Sequence, residues 1–275
     1  VSGCLSIQFG GNAVRFTTDS QAVLEALAVH LRHCLGAAAS ALADFQITAI
    51  TETVFQVSVD GSVLYSRLAF GQVLQVLMQE ALARLNGACA SGAVFHAAAL
   101  ADARGGVILC GQSGSGKSTL AFGMLASRDF RYLTDEVIVC SEDGGQISGF
   151  ARSRVLKKGS AFVWQRLLGE EGREGLLRFP DGSAWIEPLL LNKDGFSLQT
   201  IPRLLLFPRY LPDAPLRVIQ LTPAESLFRL LQALVNARNL PEAGMAIAAR
   251  LARRVTAYSL EYSDLETAIA WIRQA

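Results

Sequence analysis

The chain has 275 residues, enough for one large domain or two small ones, and either can bury a core without disulfide or metal staples. Half of it is hydrophobic (51%) and 18% is charged, the composition of a folded rather than a disordered protein. The formal net charge is +1, which gives no electrostatic case for a nucleic-acid or membrane surface. Mean hydropathy is positive (+0.32). The apolar stretches around 35–43 and 87–101 are nevertheless broken by Asp44, His96 and Asp102, and fall short of the roughly 20 residues a spanning helix needs. Five scattered cysteines (Cys4, Cys34, Cys89, Cys110, Cys140) lack the paired spacing of a zinc site or a secreted disulfide frame. With no leader-like start, a cytoplasmic protein is the expectation.

In chain order, 7–16 and 45–57 read as strands, and 21–35 between them has the apolar spacing of an amphipathic helix. Residues 54–59 and 62–68 flank Asp60-Gly61, a type I′ hairpin signal. Residues 73–85 are again helical by periodicity. Residues 1–90 therefore read as a small α/β module, for binding a substrate or partner. Residues 91–275 form a separate catalytic domain. There, 94–100 is a strand-like run containing His96, and 106–110 is a short, continuously apolar strand of the kind buried on both faces. A helix is predicted over 117–126, and a strand over 131–134 that leads into Asp135-Glu136 and continues extended through 137–140. Further helix is read near 161–168, a polar loop at 169–175, and late strands at 204–208 and 216–221. The end reads as helical over 223–236, 241–255 and 263–273.

Between the strand 106–110 and its helix, the run Gly111, Gln112, Ser113, Gly114, Ser115, Gly116, Lys117, Ser118, Thr119 fits the P-loop pattern G-x-x-x-x-G-K-[ST] in the strand–loop–helix context the motif requires. The glycines let backbone N–H groups curl around phosphate oxygens, and the helix N-terminus adds its dipole. Lys117 would reach the β- and γ-phosphates, and the Ser118 hydroxyl would coordinate Mg²⁺. Phosphoryl transfer also needs an acid that holds the metal, and Asp135 stands at the end of the strand that follows the P-loop helix. Glu136 beside it is the second acid. No L-S-G-G-Q signature is present. Asn192-Lys193-Asp194 imitates the guanine-reading N-K-x-D, but its Asp arrives one residue early. His30 and His33, three apart on a predicted helix, have no further acidic, Cys or His partner nearby and read as a helix face rather than a metal site.

Three stretches carry a family resemblance: His96-Ala-Ala-Ala-Leu-Ala101, the P-loop run itself, and Tyr132-Leu-Thr-Asp-Glu136. Together they resemble the HPr kinase/phosphorylase family, and most of all its HPr-kinase-related bacterial serine kinases. Downstream, the stretch from Phe150 through Arg152 and Lys157 to Ser160 is similar to the F-P-R-P-x-x-L-K-x-x-S of those kinases. Phe207-Pro-Arg209-Tyr210 and the run from Tyr262 to Ala268 are similar to their late motifs. The resemblance covers about 94–275. It implies an α/β fold with the P-loop kinase core shared with ATP-dependent phosphoenolpyruvate carboxykinase, preceded here by the small N-terminal α/β module. It implies transfer of the γ-phosphoryl of ATP, with Mg²⁺, to a serine of a protein or peptide; a ribosomally made precursor peptide is one candidate acceptor. Asp135 would be the general base, Ser118, Asp135 and Glu136 would surround the metal, and His96 would sit near the phosphates. Arg152, Lys157 and Arg209 are the cationic candidates for phosphate or substrate contact. The L-E-I-R-G-x-G signature of that family's phosphorylase activity is absent from 164–177. A small-metabolite kinase and a non-catalytic ATP-binding regulator stay open beside this reading, as does homo-oligomerisation.

Overall fold

Two adjacent glycines decide how the chain starts. Gly10 and Gly11 take positive φ (59° and 79°), which turns the predicted strand 7–16 into a hairpin of β1 (Gly3–Phe9) and β2 (Asn12–Thr18). The computed structural model describes residues 2–36, 40–156, 166–168, 177–178 and 184–275, and the chain divides into two units, Val1–Ser91 and Gly92–Ala275.

In the first unit, α1 (Gln21–His30) connects β2 to β3 (Asp44–Ala49), which pairs parallel with β2. Ser20 caps the helix, its Oγ accepting from the Val23 amide. The helix ends at His30 rather than at 35, because Leu31 leaves helical geometry (φ −116°). His30 is buried and His33 lies beyond the helix, so the two imidazoles do not share a helix face. The predicted strand 45–57 is broken at 50–53, and β4 (Val54–Val59) starts anew after it. β4 and β5 (Ser62–Ala69) make the hairpin expected from Asp60-Gly61. The sheet order is β1-β2-β3-β4-β5. Against it lies α2 (Phe70–Ala88), burying Val73, Leu74, Leu77, Met78, Ala81 and Leu85.

The second unit is built on a six-stranded sheet. Its elements are β6 (Gly92–Phe95), β7 (Ala97–Asp102), β8 (Gly105–Cys110), α3 (Lys117–Ala126), β9 (Arg131–Thr134), β10 (Ile138–Ser141) and β11 (Ile147–Gly149). There follow β12 (Arg154–Leu156), β13 (Leu177–Arg178), β14 (Ala184–Ile186), β15 (Gln199–Thr200), β16 (Pro202–Tyr210) and β17 (Arg217–Leu221). The chain ends with α4 (Pro223–Gln232), α5 (Met245–Arg254), β18 (Thr256–Tyr262) and α6 (Leu265–Gln274). The central sheet runs β17-β18-β16-β8-β7-β9, a second sheet runs β15-β11-β10-β6, and a small third one runs β12-β14-β13.

Both faces of the central sheet are covered, which explains its continuously apolar strands. Ala97, Ala99, Ile108, Cys110, Leu205 and Phe207 join one core with α5 and the second sheet. Their neighbours Ala98, Leu100, Val107, Leu109, Leu204 and Leu206 join the other core with α3 and α6. The architecture is mixed α/β, as the sequence suggests.

Several elements depart from the sequence reading. The predicted strand 94–100 is cut at His96, with β6 in the second sheet and β7 in the central one. The extended run 131–140 is cut too. Thr134 Oγ1 accepts from the Glu136 amide at 3.0 Å and turns the chain. The helix predicted over 223–236 stops at Gln232, since the Val235 amide donates to Val94 O and Ala233 O accepts from the His96 amide, lining the segment along β6. Residues Pro241–Gly244 form a 3₁₀ turn ahead of α5. Strand β18 was not predicted at all, and it occupies an interior place beside β16. Of the helix read at 161–168 only 166–168 lies within the described residues, where it is helical, and the loop at 169–175 lies outside them. No described helix is long and apolar enough to cross a membrane.

Candidate functional site

Strand direction gathers the candidate residues at one edge of the central sheet. β8, β16 and β18 run parallel, and β9, antiparallel to β7 as β8 is, runs the same way. Their C-terminal ends therefore share an edge, where ligands of open α/β sheets bind. The glycine-rich loop leaves β8 there, and Asp135 follows β9 there. β7 runs the other way, pairing Ala97 with Cys110 and Ala99 with Thr134. Its N-terminal end thus brings His96 to the same edge. His96 is exposed, not enclosed in a strand, because it stands where the chain passes from one sheet to the other.

The loop is held from several sides. Gly116 opens α3 at φ 91°, and a Cβ there would lie 2.6 Å from Tyr262 Oη and 3.1 Å from Tyr210 Cβ. Tyr262 donates its phenol hydrogen to Gly116 O at 3.2 Å, and the Tyr210 amide donates to Ser115 O at 3.0 Å. Burial, with Tyr210 beside it, raises the Tyr262 phenol above its usual range and keeps it a neutral donor. Lys117 is buried, its ammonium donating to Gly111 O and, at 3.1 Å, to Gln112 O. Gln112, Ser113 and Gly114 are exposed at the crest of the loop. Ser115, Ser118 and Thr119 are half-buried at its base. Cys110, just before the loop, has its thiol pushed up to about 12 by burial, against the opposing pull of Lys117.

Asp135 is buried, and the Tyr132 phenol donates to its Oδ1 at 3.0 Å. A β-bulge sets up that contact: Leu100 pairs with Tyr132 and Ala99 with Thr134, which leaves Leu133 extra and re-aims the end of the strand. Phe122 of α3 stacks on Tyr132 (centroids 5.9 Å apart, 21° between planes). The second acid faces a cation: Arg152 Nη2 donates to Glu136 Oε2 at 2.8 Å, both side chains being largely buried. Arg152 and Glu136, expected at the phosphate and the metal, are thus brought to each other. Arg209 lies at the exposed end of β16, 3.4 Å from Glu261 of β18. Lys157 lies outside the described residues.

The glycine cradle fits a chain of phosphates: small residues, positive φ at Gly114 and Gly116, and a helix opening directly behind. Among the described residues no three His, Cys, Asp or Glu side chains cluster as a self-sufficient metal site. A magnesium ion here would need phosphate oxygens besides Ser118 and Asp135. Asn192 does not take part: its Nδ2 donates to Phe130 O at 3.2 Å, and Tyr132 exchanges backbone hydrogen bonds with Gly195 and Ser197, so that segment braces β9. Tyr132, Tyr210 and Tyr262 enter the sequence reading only as members of the family-like stretches, with no role of their own. The first needs the bulge, and the other two need β18 and its register with β16.

No protein-family model matches the chain, and no curated protein does. Among solved structures, the HPr(Ser) kinase/phosphatase from Coxiella burnetii is a distant likeness, at 13% sequence identity and a TM-score of 0.32. The match covers 66% of this chain and 94% of that one.

Proposed function

We propose that this protein is an ATP- and Mg²⁺-dependent kinase that transfers the γ-phosphoryl group to a serine hydroxyl of a peptide or small protein. One observation carries the reading: a glycine cradle that opens a helix, a buried carboxylate just after the next parallel strand and an exposed histidine converge at one sheet edge. In this scheme the loop amides and Lys117 hold the phosphates, the ammonium exchanging its loop carbonyls for phosphate oxygens. Ser118 and Asp135 would hold Mg²⁺, whose chemistry is to neutralise charge on the β- and γ-phosphates. Asp135 takes the proton of the acceptor hydroxyl as its oxygen bonds to the γ-phosphorus and the bond to the departing ADP oxygen breaks. The Glu136–Arg152 pair fixes the turn that aims Asp135, and exposed His96 borders the transferred group.

The test is phosphoryl transfer from radiolabelled ATP with Mg²⁺ to a library of serine peptides. The wild type is expected to label a serine and Lys117→Ala to lose nucleotide binding. Asp135→Asn should keep ATP binding while transfer drops by about 10²-fold or more. Normal transfer by Asp135→Asn removes the assigned base, and no binding of ATP by the wild type removes the reading altogether. Consumption of ATP only with hydroxylated metabolites would move the acceptor to a small molecule. Tight binding without turnover would favour a regulator.

A further inference from the structure

We infer that the nucleoside part of the nucleotide sits in the cavity between the β16–β17 loop and the turn from β18 into α6. The inference rests on the nucleotide reading above and adds where the base and ribose go. The geometry is directional. From the loop-bearing strand β8, the edge carries β7 and β9, with His96 and Asp135, to one side, and β16 and β18 to the other. A triphosphate whose γ-end faces Asp135 sends its nucleoside towards β16 and β18.

On that side the structure has a cavity of about 340 Å³, within the size range of ligand pockets and lined by Asp213, Leu216, Ser263, Asp264 and Thr267 among others. No loop residue lines it, but both of its walls follow in the chain on residues that hydrogen-bond the loop. Tyr262, whose phenol binds Gly116 O, is followed at once by Ser263 of the cavity wall. Tyr210, whose amide binds Ser115 O, leads into the segment that carries Asp213. The Leu211 amide donates to Tyr262 O at 3.0 Å and Ser263 Oγ donates to Ala214 O at 2.8 Å, so both walls are fixed to each other.

The lining chemistry suits a nucleoside and not a second anion. Asp213 and Asp264 put carboxylates on the rim, which repel phosphate and accept hydrogen bonds from ribose hydroxyls or a base amino group. Leu216 gives the flat ring an apolar wall. Among the described residues that line the cavity none is cationic. The division of labour follows: the glycine loop holds the anionic end, and the acidic cavity holds the neutral, hydrogen-donating end.

Two variants test it, each placing an indole in the cavity from a different wall: Thr267→Trp and Leu216→Trp. Thr267 is exposed, and a tryptophan there loses the side-chain hydrogen bond to Asp264 but keeps the backbone amide that donates to the same carboxylate and caps α6, so the first variant should fold even where the second does not. Binding of ATP and of inorganic tripolyphosphate is measured by calorimetry with Mg²⁺ on the full chain. The expected result is a loss of ATP affinity of tenfold or more with tripolyphosphate affinity unchanged within twofold. A folded Thr267→Trp that binds ATP as the wild type does overturns the inference. Equal weakening of both ligands also overturns it, since the damage would then lie at the loop. If the wild type binds neither ligand, it is the nucleotide reading that fails.

Discussion

Gly116→Ala is the sharpest single perturbation of the loop. An alanine at φ 91° stands in a region that costs an L-residue roughly 1–2 kcal/mol. Its methyl would also lie 2.6 Å from Tyr262 Oη, an atom of a buried ring that cannot swing away. Overpacking of that kind adds roughly 1–3 kcal/mol. The total loss of stability should therefore be about 2–5 kcal/mol. The two parts separate in a double-mutant cycle with Tyr262→Phe. Without the hydroxyl, the nearest atoms become Tyr210 Cβ at 3.1 Å and Tyr262 Cζ at 3.4 Å, contacts that small shifts relieve. Gly116→Ala in the phenylalanine background should then cost only the backbone part, leaving a coupling of about 1–3 kcal/mol between the two positions. Urea unfolding of the four proteins, with unchanged m-values, measures it. Equal costs in both backgrounds would refute the packing argument. A cost below about 0.5 kcal/mol for Gly116→Ala itself would refute the backbone argument as well.

Three further outcomes are expected. Burial opposes ionisation of Asp102, yet the hydrogen bonds from Arg203 and from the Arg104 amide and guanidinium outweigh it and hold the carboxyl below its ordinary value. Its stabilising effect should be complete above the unfolded value of about 3.9 and fade as pH falls through the lower folded value. In thermal melts from pH 7 to 2, Asp102→Asn should therefore be less stable than the wild type at neutral pH and approach it at the acid end. A gap that widens on acidification would contradict this. Asn236→Ala removes the side chain that accepts from the Val94 amide at 2.8 Å and donates to Gly92 O at 2.9 Å, both buried. Leaving those groups unpaired should lower stability by about 2 kcal/mol or more in urea titrations. Finally, Cys4 is exposed whereas Cys34, Cys89, Cys110 and Cys140 are buried, and burial pushes the Cys110 and Cys140 thiols up to about 12. Thiol reagents at pH 8 should modify one cysteine quickly in the native protein and all five in denaturant, as counted by mass spectrometry.

What the sequence makes legible here is local. The Asp60-Gly61 hairpin, the helix behind Lys117 and the strand before Gly111 are all fixed by neighbours a few residues away, where turn chemistry and periodicity operate. The breaks at His96 and after Thr134 were not legible. Each strand passes into a different sheet without any glycine or proline to mark it, and the choice depends on partners far along the chain. Strand β18 shows the same limit: its interior place depends on pairing with β16 and β17, while its short run between two helices reads as a connection. In the candidate site, the glycine pattern picks out the loop and its lysine, and strand order accounts for Asp135. The pairing of Glu136 with Arg152 spans 16 positions across a turn that no spacing rule anticipates.

The contact between Tyr262 and Gly116 has a consequence for the order in which the molecule is made. The two residues are 146 positions apart. At a synthesis rate of about 5–20 residues per second, the tyrosine is added roughly 7–30 s after the glycine. Throughout that interval the nascent loop has its sequence but not the ring that shapes its last turn. Loop closure over such a separation also comes late in a folding reaction. A chain stalled before β18 would carry the complete glycine-rich run without the tyrosine that hydrogen-bonds its last turn.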